Sequence, residues 1–228
     1  SITAVVVSSF PDEWEEIIGK NTYDTLKKTT FIETELSSER IARLRTKARQ
    51  LAAKNGFVGP EVFFHRADSI GANAIAFPGG PVVVTDELVH LLESDNLILG
   101  VIAHEFAHVQ QRHSLHQIME VIGFAVAASI LFGSDDTLIE EASFIGLNLW
   151  ASKKSREFEK EADLISVKYL ENAGIDKVSF GLALQKLVSN SCRPTSEISL
   201  QECLEKDGSG WLSSHPSGAE RLKILSLQ

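Results

Sequence analysis

The spacing of apolar residues changes character twice along this 228-residue chain. After a short acidic helix predicted at 11–20, residues 38–54 place apolar side chains every three or four positions, as in a helix with one buried face. Residues 61–85 then contain three short β-rich runs, EVFFHR, NAIAF and PVVVT, which Gly and Pro separate. These runs predict the strands of one small sheet.

Helical spacing returns after Thr85 and continues almost to the C-terminus. It predicts helices at 86–93, 95–117, 118–132, 137–154, 156–173, 176–190 and 217–227. The chain shows no internal repeat and no linker long enough to separate two domains. We therefore expect a mostly helical α+β fold in a single domain, 1–228, with a helical extension at 1–54 and a core at 55–228.

Composition and charge narrow the range of functions. Hydrophobic residues make up 43% and charged residues 23%, which is ordinary for a soluble globular protein, and the net charge of −9 argues against a nucleic-acid partner. The uncharged run VIGFAVAASILF at 121–132 has 12 residues, whereas a membrane span needs about 18 or more. This run predicts a buried helix or one that lies against a membrane surface.

The segment AHEFAH carries the strongest chemical signal in the chain. His104 and His108 are four residues apart, so both imidazoles project from one helix face, as a shared Zn²⁺ requires. Glu105 is turned toward the open side of the metal, where a carboxylate can take a proton from a bound water. Solvent-facing histidines fit poorly here, because the neighbours are apolar: Ile102, Ala103, Phe106, Ala107 and Val109.

A catalytic zinc site needs a third ligand. His113 follows His108 by only five residues, and on a continuous helix it faces away. We interpret His113 and His116 as residues at the helix surface or the core edge, with support of a metal ligand as the alternative. A better source is SREFEKEADLIS, where Glu159 could bind the metal and Asp163 could hold the far ring nitrogen of a ligand histidine. Glu157 and Glu161 compete for the ligand role, and an exposed acidic helix start is the simpler alternative.

HEFAH followed by SREFEKEAD resembles the gluzincin metallopeptidases that include the HtpX-type heat-shock protease and the CaaX prenyl endopeptidase. NAIAFPGGPVVVTDELV at 73–89 and SSHPSGAERLKIL at 213–225 are similar to two further elements of that family, in its soluble and periplasmic branch. The resemblance covers roughly 55–225 and implies a zincin-type fold. It also implies that Glu159, rather than Glu157 or Glu161, completes the site for one Zn²⁺ per chain.

The resemblance implies roles for three other parts of the chain. Residues Asn73, Ala74, Ile75, Ala76 and Phe77 would form a strand that pairs with the extended substrate backbone. His215 would stabilise the oxyanion, or it would occupy the open metal position and keep the enzyme latent. Arg221 would orient His215 or the substrate.

These observations predict a zinc endopeptidase that acts on unfolded or misassembled proteins, with Glu105 as general base. The alternative function is a latent or chaperone-like binding module whose zinc site His215 closes. The chain begins SITAVVV without Met, and Cys192 and Cys203 could form a small disulfide loop, although two free thiols are nearly as consistent with the spacing. We therefore expect an extracytoplasmic, periplasmic location, with membrane association through a missing N-terminal segment.

Overall fold

The computed structural model describes residues 2–122, 136–149, 152, 154–191, 210–216 and 221. Within these ranges the chain forms ten helices. They are α1 (Ile2–Ser9), α2 (Asp12–Thr29), α3 (Ser38–Lys54), α4 (Asp86–Leu92), α5 (Asp95–Gln110), α6 (His113–Ile122), α7 (Asp136–Leu149), α8 (Arg156–Asn172), α9 (Val178–Ser191) and α10 (Trp211–Ser214).

Four strands form one mixed sheet: β1 (Ile32–Glu33), β2 (Val62–Arg66), β3 (Ala74–Ala76) and β4 (Val82–Thr85). Their order is β1-β2-β4-β3, so β3 lies at one edge of the sheet. The β2–β4 pair is parallel, and the other two pairs are antiparallel. The mostly helical α+β fold predicted from the sequence is confirmed.

Helix α5 runs through the centre of the molecule. It packs against α8 and α9 on one side and against β3 and β4 on another. Its residues from Ile98 to Val109 are all buried, which explains why the sequence around the histidines is apolar on every side. At Gly100 the backbone of Phe180 comes so close that an added Cβ would lie 2.8 Å from its Cα. Helix α9 therefore reaches the active-site helix one turn before His104.

Serine side chains cap the N-termini of helices α3 and α8. The Ser37 hydroxyl accepts a hydrogen bond from the Arg40 N–H at the start of α3. Ser155 caps α8 in the same way through the Phe158 N–H, and Glu159 follows within the first turn and a half. The cap therefore fixes the start of α8, about one turn before Glu159.

The predicted continuous helix at 95–117 is wrong, because α5 ends at Gln110 and α6 starts at His113. Arg112 lies between them in the left-handed region, with φ 56°. Its guanidinium forms an ion pair with the buried Glu15 and donates to the carbonyl oxygens of Val7 and Phe10, at 2.8 and 2.9 Å. These contacts with α1 and α2 favour the break, although no Gly or Pro marks it in the sequence.

Other differences lie near the N-terminus. Helix α2 continues to Thr29, beyond the predicted 11–20, and neither α1 nor β1 was predicted. Helix α2 packs along α7, and Gly19 lets it approach the Pro78–Gly80 turn. Parts of the predicted helices at 118–132 and 217–227, and both Cys192 and Cys203, lie outside the described residues. No helix in the described ranges is long and apolar enough to cross a membrane.

Replacing Arg112 with Ala is expected to destabilise the fold by roughly 3 kcal/mol, because Glu15 would keep a buried charge without its partner. The Glu15 side chain is 4% exposed and that of Arg112 is 19% exposed. Urea unfolding would measure the loss, and adding Glu15→Gln to Arg112→Ala should restore part of it. The exposed pair Lys20–Asp24 provides a control, since Lys20→Ala should change little. Equal effects of Arg112→Ala and Lys20→Ala would contradict this account.

Candidate active site

The two histidines of the HEFAH segment converge on one point inside the molecule. His104 and His108 are fully buried on α5, and their Nε2 atoms lie 2.9 Å apart. Glu159 enters from α8, with carboxylate oxygens 3.5 Å from His104 Nε2 and 3.3 Å from His108 Nε2. His215 joins from the end of α10, and the ligand atoms of these four residues all lie within 4.8 Å of one another.

This donor set fits a divalent metal ion. Nitrogen ligands at the usual zinc distance of about 2.0–2.1 Å, arranged as a tetrahedron, lie roughly 3.3 Å apart. The separations of 2.9, 3.3 and 3.5 Å among His104, His108 and Glu159 are close to that value. All four side chains are also fully buried, where polar groups need a partner to offset lost hydration. Two imidazoles and one carboxylate match the ligand type of a catalytic site with an open position.

Glu105 lies beside the cluster and is fully buried. Its Oε1 accepts a hydrogen bond from the indole N–H of Trp211 at 3.2 Å, which fixes the carboxylate. Its Oε2 has no hydrogen-bond partner in the described part of the chain. A buried carboxylate oxygen without a partner is suited to receive a proton from a water or substrate that enters the site.

Asp163 supports His104 from the far side of its ring. Its Oδ1 lies 3.1 Å from His104 Nδ1, so the imidazole presents Nε2 to the cluster. Arg221 donates to both oxygens of Asp163, at 2.7 and 2.8 Å, and its Nη1 lies 2.7 Å from Glu159 Oε2. Arg221 therefore contacts both carboxylates, and its expected role in orienting His215 or the substrate stays a prediction.

His113 supports His108, contrary to the expectation that it faces away. The break at Arg112 turns His113 back, and its Nδ1 lies 2.7 Å from His108 Nδ1. Its Nε2 lies 3.2 Å from Glu161 Oε2, and its ring stacks on Phe158 with centroids 4.2 Å apart. Glu161 therefore contacts His113 instead of the cluster. Sequence reasoning placed His113 at a surface or core edge, because the helix break had no local signal.

Aromatic rings enclose the cluster. Phe180 stacks on His104 with centroids 5.0 Å apart, and Trp211 stacks on His215 at 4.4 Å. Both rings are fully buried. Sequence analysis did not identify either residue, because a single aromatic in a helix or loop is usually part of a core. Their packing orients the two imidazoles.

The cluster strongly perturbs proton affinities. Burial lowers the pKa of His104, but Asp163 and Glu159 outweigh it and raise this pKa to about 9. Burial and the nearby His104 hold the pKa of His108 well below its usual range. Burial also lowers the pKa of His215, and that of His113 to about 4. Burial raises the pKa of Glu159, but His215 and Arg221 reverse this and keep the group ionised.

The predicted substrate strand corresponds to β3 and its flanks, Asn73–Phe77, which lie beside α5. All five side chains are buried. Thr85 N–H donates to Asn73 O, and Phe77 N–H donates to Pro81 O. Because an antiparallel strand alternates its hydrogen-bonding direction, the backbone groups of Ala74 and Ala76 face away from β4. The Ala76 carbonyl accepts from the Ser114 hydroxyl at 3.1 Å.

Comparison with known proteins agrees with the geometry of the site. Residues 38–227 match the sequence profile of peptidase family M48. The chain belongs to peptidase family M48. The relatives that share this sequence similarity are named as metalloendopeptidases and proteases. The buried cluster of His104, His108, Glu159 and His215 fits the binding of a metal ion.

Three relatives illustrate the similarity. The mitochondrial metalloendopeptidase OMA1 of Arabidopsis thaliana is 32% identical over 68% of this chain. The beta-barrel assembly-enhancing protease of Yersinia pestis is 29% identical over 65%, and a protease HtpX homolog of Pyrococcus abyssi is 35% identical over 50%. The chain spans only 29%, 32% and 43% of these relatives' own lengths.

Proposed function

We propose that this M48 protein is a zinc-dependent endopeptidase that cleaves unfolded or misassembled proteins. His104, His108 and Glu159 would hold one Zn²⁺. The convergence of these three buried side chains beside the unpartnered Glu105 oxygen carries the proposal. The names of the relatives, metalloendopeptidase and assembly-enhancing protease, support the substrate class.

In this proposal, separate residues transfer the proton, orient the general base and hold the metal ligands. When bound, zinc supplies Lewis acidity, which acidifies a water and polarises the scissile carbonyl. Glu105 Oε2 takes the proton of the attacking water and then delivers it to the leaving amine. Trp211 holds the other oxygen of Glu105, so the free oxygen keeps its direction. Asp163 and the His113–Glu161 pair hold the far nitrogens of His104 and His108.

The substrate would bind as an added strand at the outer edge of β3, where its backbone would replace the Ser114 hydroxyl at the Ala76 carbonyl and the Asn73 side-chain oxygen at the Ala74 N–H. The backbone groups of Ala74 and Ala76 face that edge, and main-chain pairing provides affinity with little sequence demand. Such a mode suits unfolded chains, which offer extended backbone.

Helices α2 and α3 pack on α7 and α5, which supports the proposal that the whole chain is one domain.

Cleavage of casein tests the proposal. Zinc-loaded protein is expected to produce casein fragments, and removal of zinc with a chelator should abolish them until zinc is added back. Mass spectrometry of the fragments would show internal cleavage sites if the enzyme is an endopeptidase. Fragmentation that continues at full rate in metal-depleted protein would contradict the proposal.

The position of His215 favours a second function, in which the zinc site is closed. Its Nδ1 lies 3.0 Å from Glu159 Oε1 and its Nε2 lies 3.4 Å from Glu105 Oε1, so the ring could act as a fourth ligand. Sites with four protein ligands are structural rather than catalytic. This second proposal is a latent or chaperone-like module in which His215 holds the open position.

His215→Ala separates the two functions. If His215 closes the site, the variant is expected to cleave casein at least about tenfold faster than the wild type, because the open position returns. If His215 stabilises the oxyanion, activity is expected to fall by about 10²–10³-fold. Zinc content of both proteins is the control, and unchanged activity with unchanged zinc would contradict both roles.

We also propose an extracytoplasmic location with a bond between Cys192 and Cys203, as their spacing suggested. A peptide map under non-reducing conditions that joins the two cysteines would support this proposal. Two free thiols in protein purified from its native compartment would contradict it.

A further inference from the structure

The short connection between α5 and α6 lies next to the metal cluster. Arg112 stands in this connection with φ 56°, a left-handed conformation that residues with a side chain rarely adopt. The next residue, His113, begins α6 and places its Nδ1 2.7 Å from Nδ1 of His108. A strained backbone conformation of this kind persists where surrounding contacts hold it. The contacts of Arg112 therefore bear on the side chain behind a proposed metal ligand.

The contacts that hold Arg112 come from α1, α2 and the turn between them. Its Nε forms an ion pair with Glu15 Oε2. Its Nη1 and Nη2 donate to the carbonyl oxygens of Val7 and Phe10, at 2.8 and 2.9 Å. Because the guanidinium is a planar group with donors in fixed directions, three acceptors hold it in one orientation. The N-terminal helices thus determine where the chain leaves α5.

Helix α2, which carries Glu15, is itself fixed against the sheet beside α5. At Gly19 an added Cβ would lie 1.9 Å from the Pro78 carbonyl oxygen, and at Gly79 it would lie 2.9 Å from the Glu16 nitrogen. Helix α2 therefore packs directly on the turn that follows β3, and β3 packs against α5. Glu15 is held in place relative to the metal cluster by these contacts.

His113 fills a closed position behind His108. It is 1% exposed, its Nε2 lies 3.2 Å from Glu161 Oε2, and its ring stacks on Phe158 with centroids 4.2 Å apart. On an unbroken helix, five residues would rotate His113 by about 140° away from His108. The contact between the two imidazoles therefore depends on the break, and the break depends on the residue before His113.

We propose that Arg112 is a positioning residue for the metal centre, which orients His108 through His113 and makes the metal affinity of the site depend on α1 and α2. The inference deepens the proposed function and rests on the ligand role proposed there for His108. The guanidinium contacts α1 and α2, so its effect on the metal passes through His113. A partner at the far nitrogen of a ligand histidine fixes the orientation and tautomer of the ring.

Zinc affinity tests this proposal without reference to cleavage. In competition with a fluorescent chelator, His113→Ala is expected to bind zinc about 10–100-fold more weakly, the usual cost of losing an outer partner of a ligand. Arg112→Ala should lose at least about tenfold for the same reason. The double variant should bind no more weakly than His113→Ala, because both changes remove one contact. With cobalt(II) in place of zinc, all three variants should show the same displaced absorption bands.

Two further variants separate positioning from a loss of stability. Adding Glu15→Gln to Arg112→Ala should restore part of the stability to urea but not the zinc affinity, and this double variant replaces Arg112→Ala if the latter does not fold. Arg40→Ala is the matched control. The Arg40 side chain is 23% exposed, against 19% for Arg112, and it forms an ion pair with Asp95, the first residue of α5. Arg40→Ala should lower the stability and leave the zinc affinity unchanged.

The outcomes distinguish the positioning role from the proposed function. Wild-type zinc affinity in folded Arg112→Ala, or losses that multiply in the double variant with His113→Ala, would overturn the positioning role. An equal loss in Arg40→Ala would also overturn it, because any destabilised variant would then bind zinc weakly. Failure of the zinc-loaded wild type to cut casein would instead overturn the endopeptidase function, and the zinc affinities would still decide the role of Arg112.

Discussion

Hydrolysis of casein is expected to fall by about 10⁴-fold in Glu105→Gln, the upper range for loss of a general acid–base group. The amide of the replacement cannot take a proton from the attacking water. Its oxygen can still accept the Trp211 indole N–H, which now donates to Glu105 Oε1 at 3.2 Å. The fold and the metal should therefore be retained, so the loss reports on proton transfer alone.

The measurement needs cleavage rate and zinc content on the same preparations. Zinc content should be equal in Glu105→Gln and the wild type, since Glu105 is not placed among the ligands. Glu157→Gln is the matched control, because Glu157 is exposed on α8 and should keep full activity. A Glu105→Gln protein that cuts casein at the wild-type rate would show that the base is another residue or that the activity is a contaminant.

Glu159→Gln is expected to weaken zinc binding by more than about 100-fold, because loss of a direct ligand should exceed the 10–100-fold cost of losing an outer partner. The substitution removes the negative charge that faces both imidazoles and Arg221. Cleavage should disappear at zinc concentrations that saturate the wild type. Competition with a fluorescent zinc chelator would measure the affinity.

Variants of two other acidic residues of α8 provide zinc affinities with which the affinity of Glu159→Gln can be compared. Asp163→Asn should weaken zinc binding by about 10–100-fold, since Asp163 contacts His104 and not the metal position. Glu157→Gln should leave the affinity unchanged. The expected order of affinity is therefore wild type and Glu157→Gln, then Asp163→Asn, then Glu159→Gln. An Asp163→Asn protein weaker than Glu159→Gln would contradict the assignment of Glu159 as a ligand.

Residues whose positions follow from local spacing could be placed from the sequence. His104 and His108 share a face because they are four apart on a helix, and α5 is helical because its apolar run has no breaker. Strands β2, β3 and β4 could be predicted, because each is a β-rich run between Gly and Pro residues. Glu159 required the resemblance to known peptidases, because three acidic residues of α8 fit a ligand role from spacing alone.

Residues whose roles depend on distant contacts could not be predicted. Arg112 leaves the helical conformation where its guanidinium meets Glu15 and the carbonyls of Val7 and Phe10, which lie 97, 105 and 102 positions away. That break turns His113 toward His108. Trp211 and Phe180 reach the histidine cluster through the packing of α5, α9 and the segment around α10, which no periodicity in the sequence encodes.

The most direct test of the account is a crystal structure of the zinc-loaded protein with anomalous data collected on both sides of the zinc absorption edge. The account predicts one zinc peak per chain within bonding distance of His104 Nε2, His108 Nε2 and the Glu159 carboxylate, with Asp163 and His113 behind the two imidazoles. A peak at another group of residues, or no peak at this cluster in protein shown to contain zinc, would contradict it.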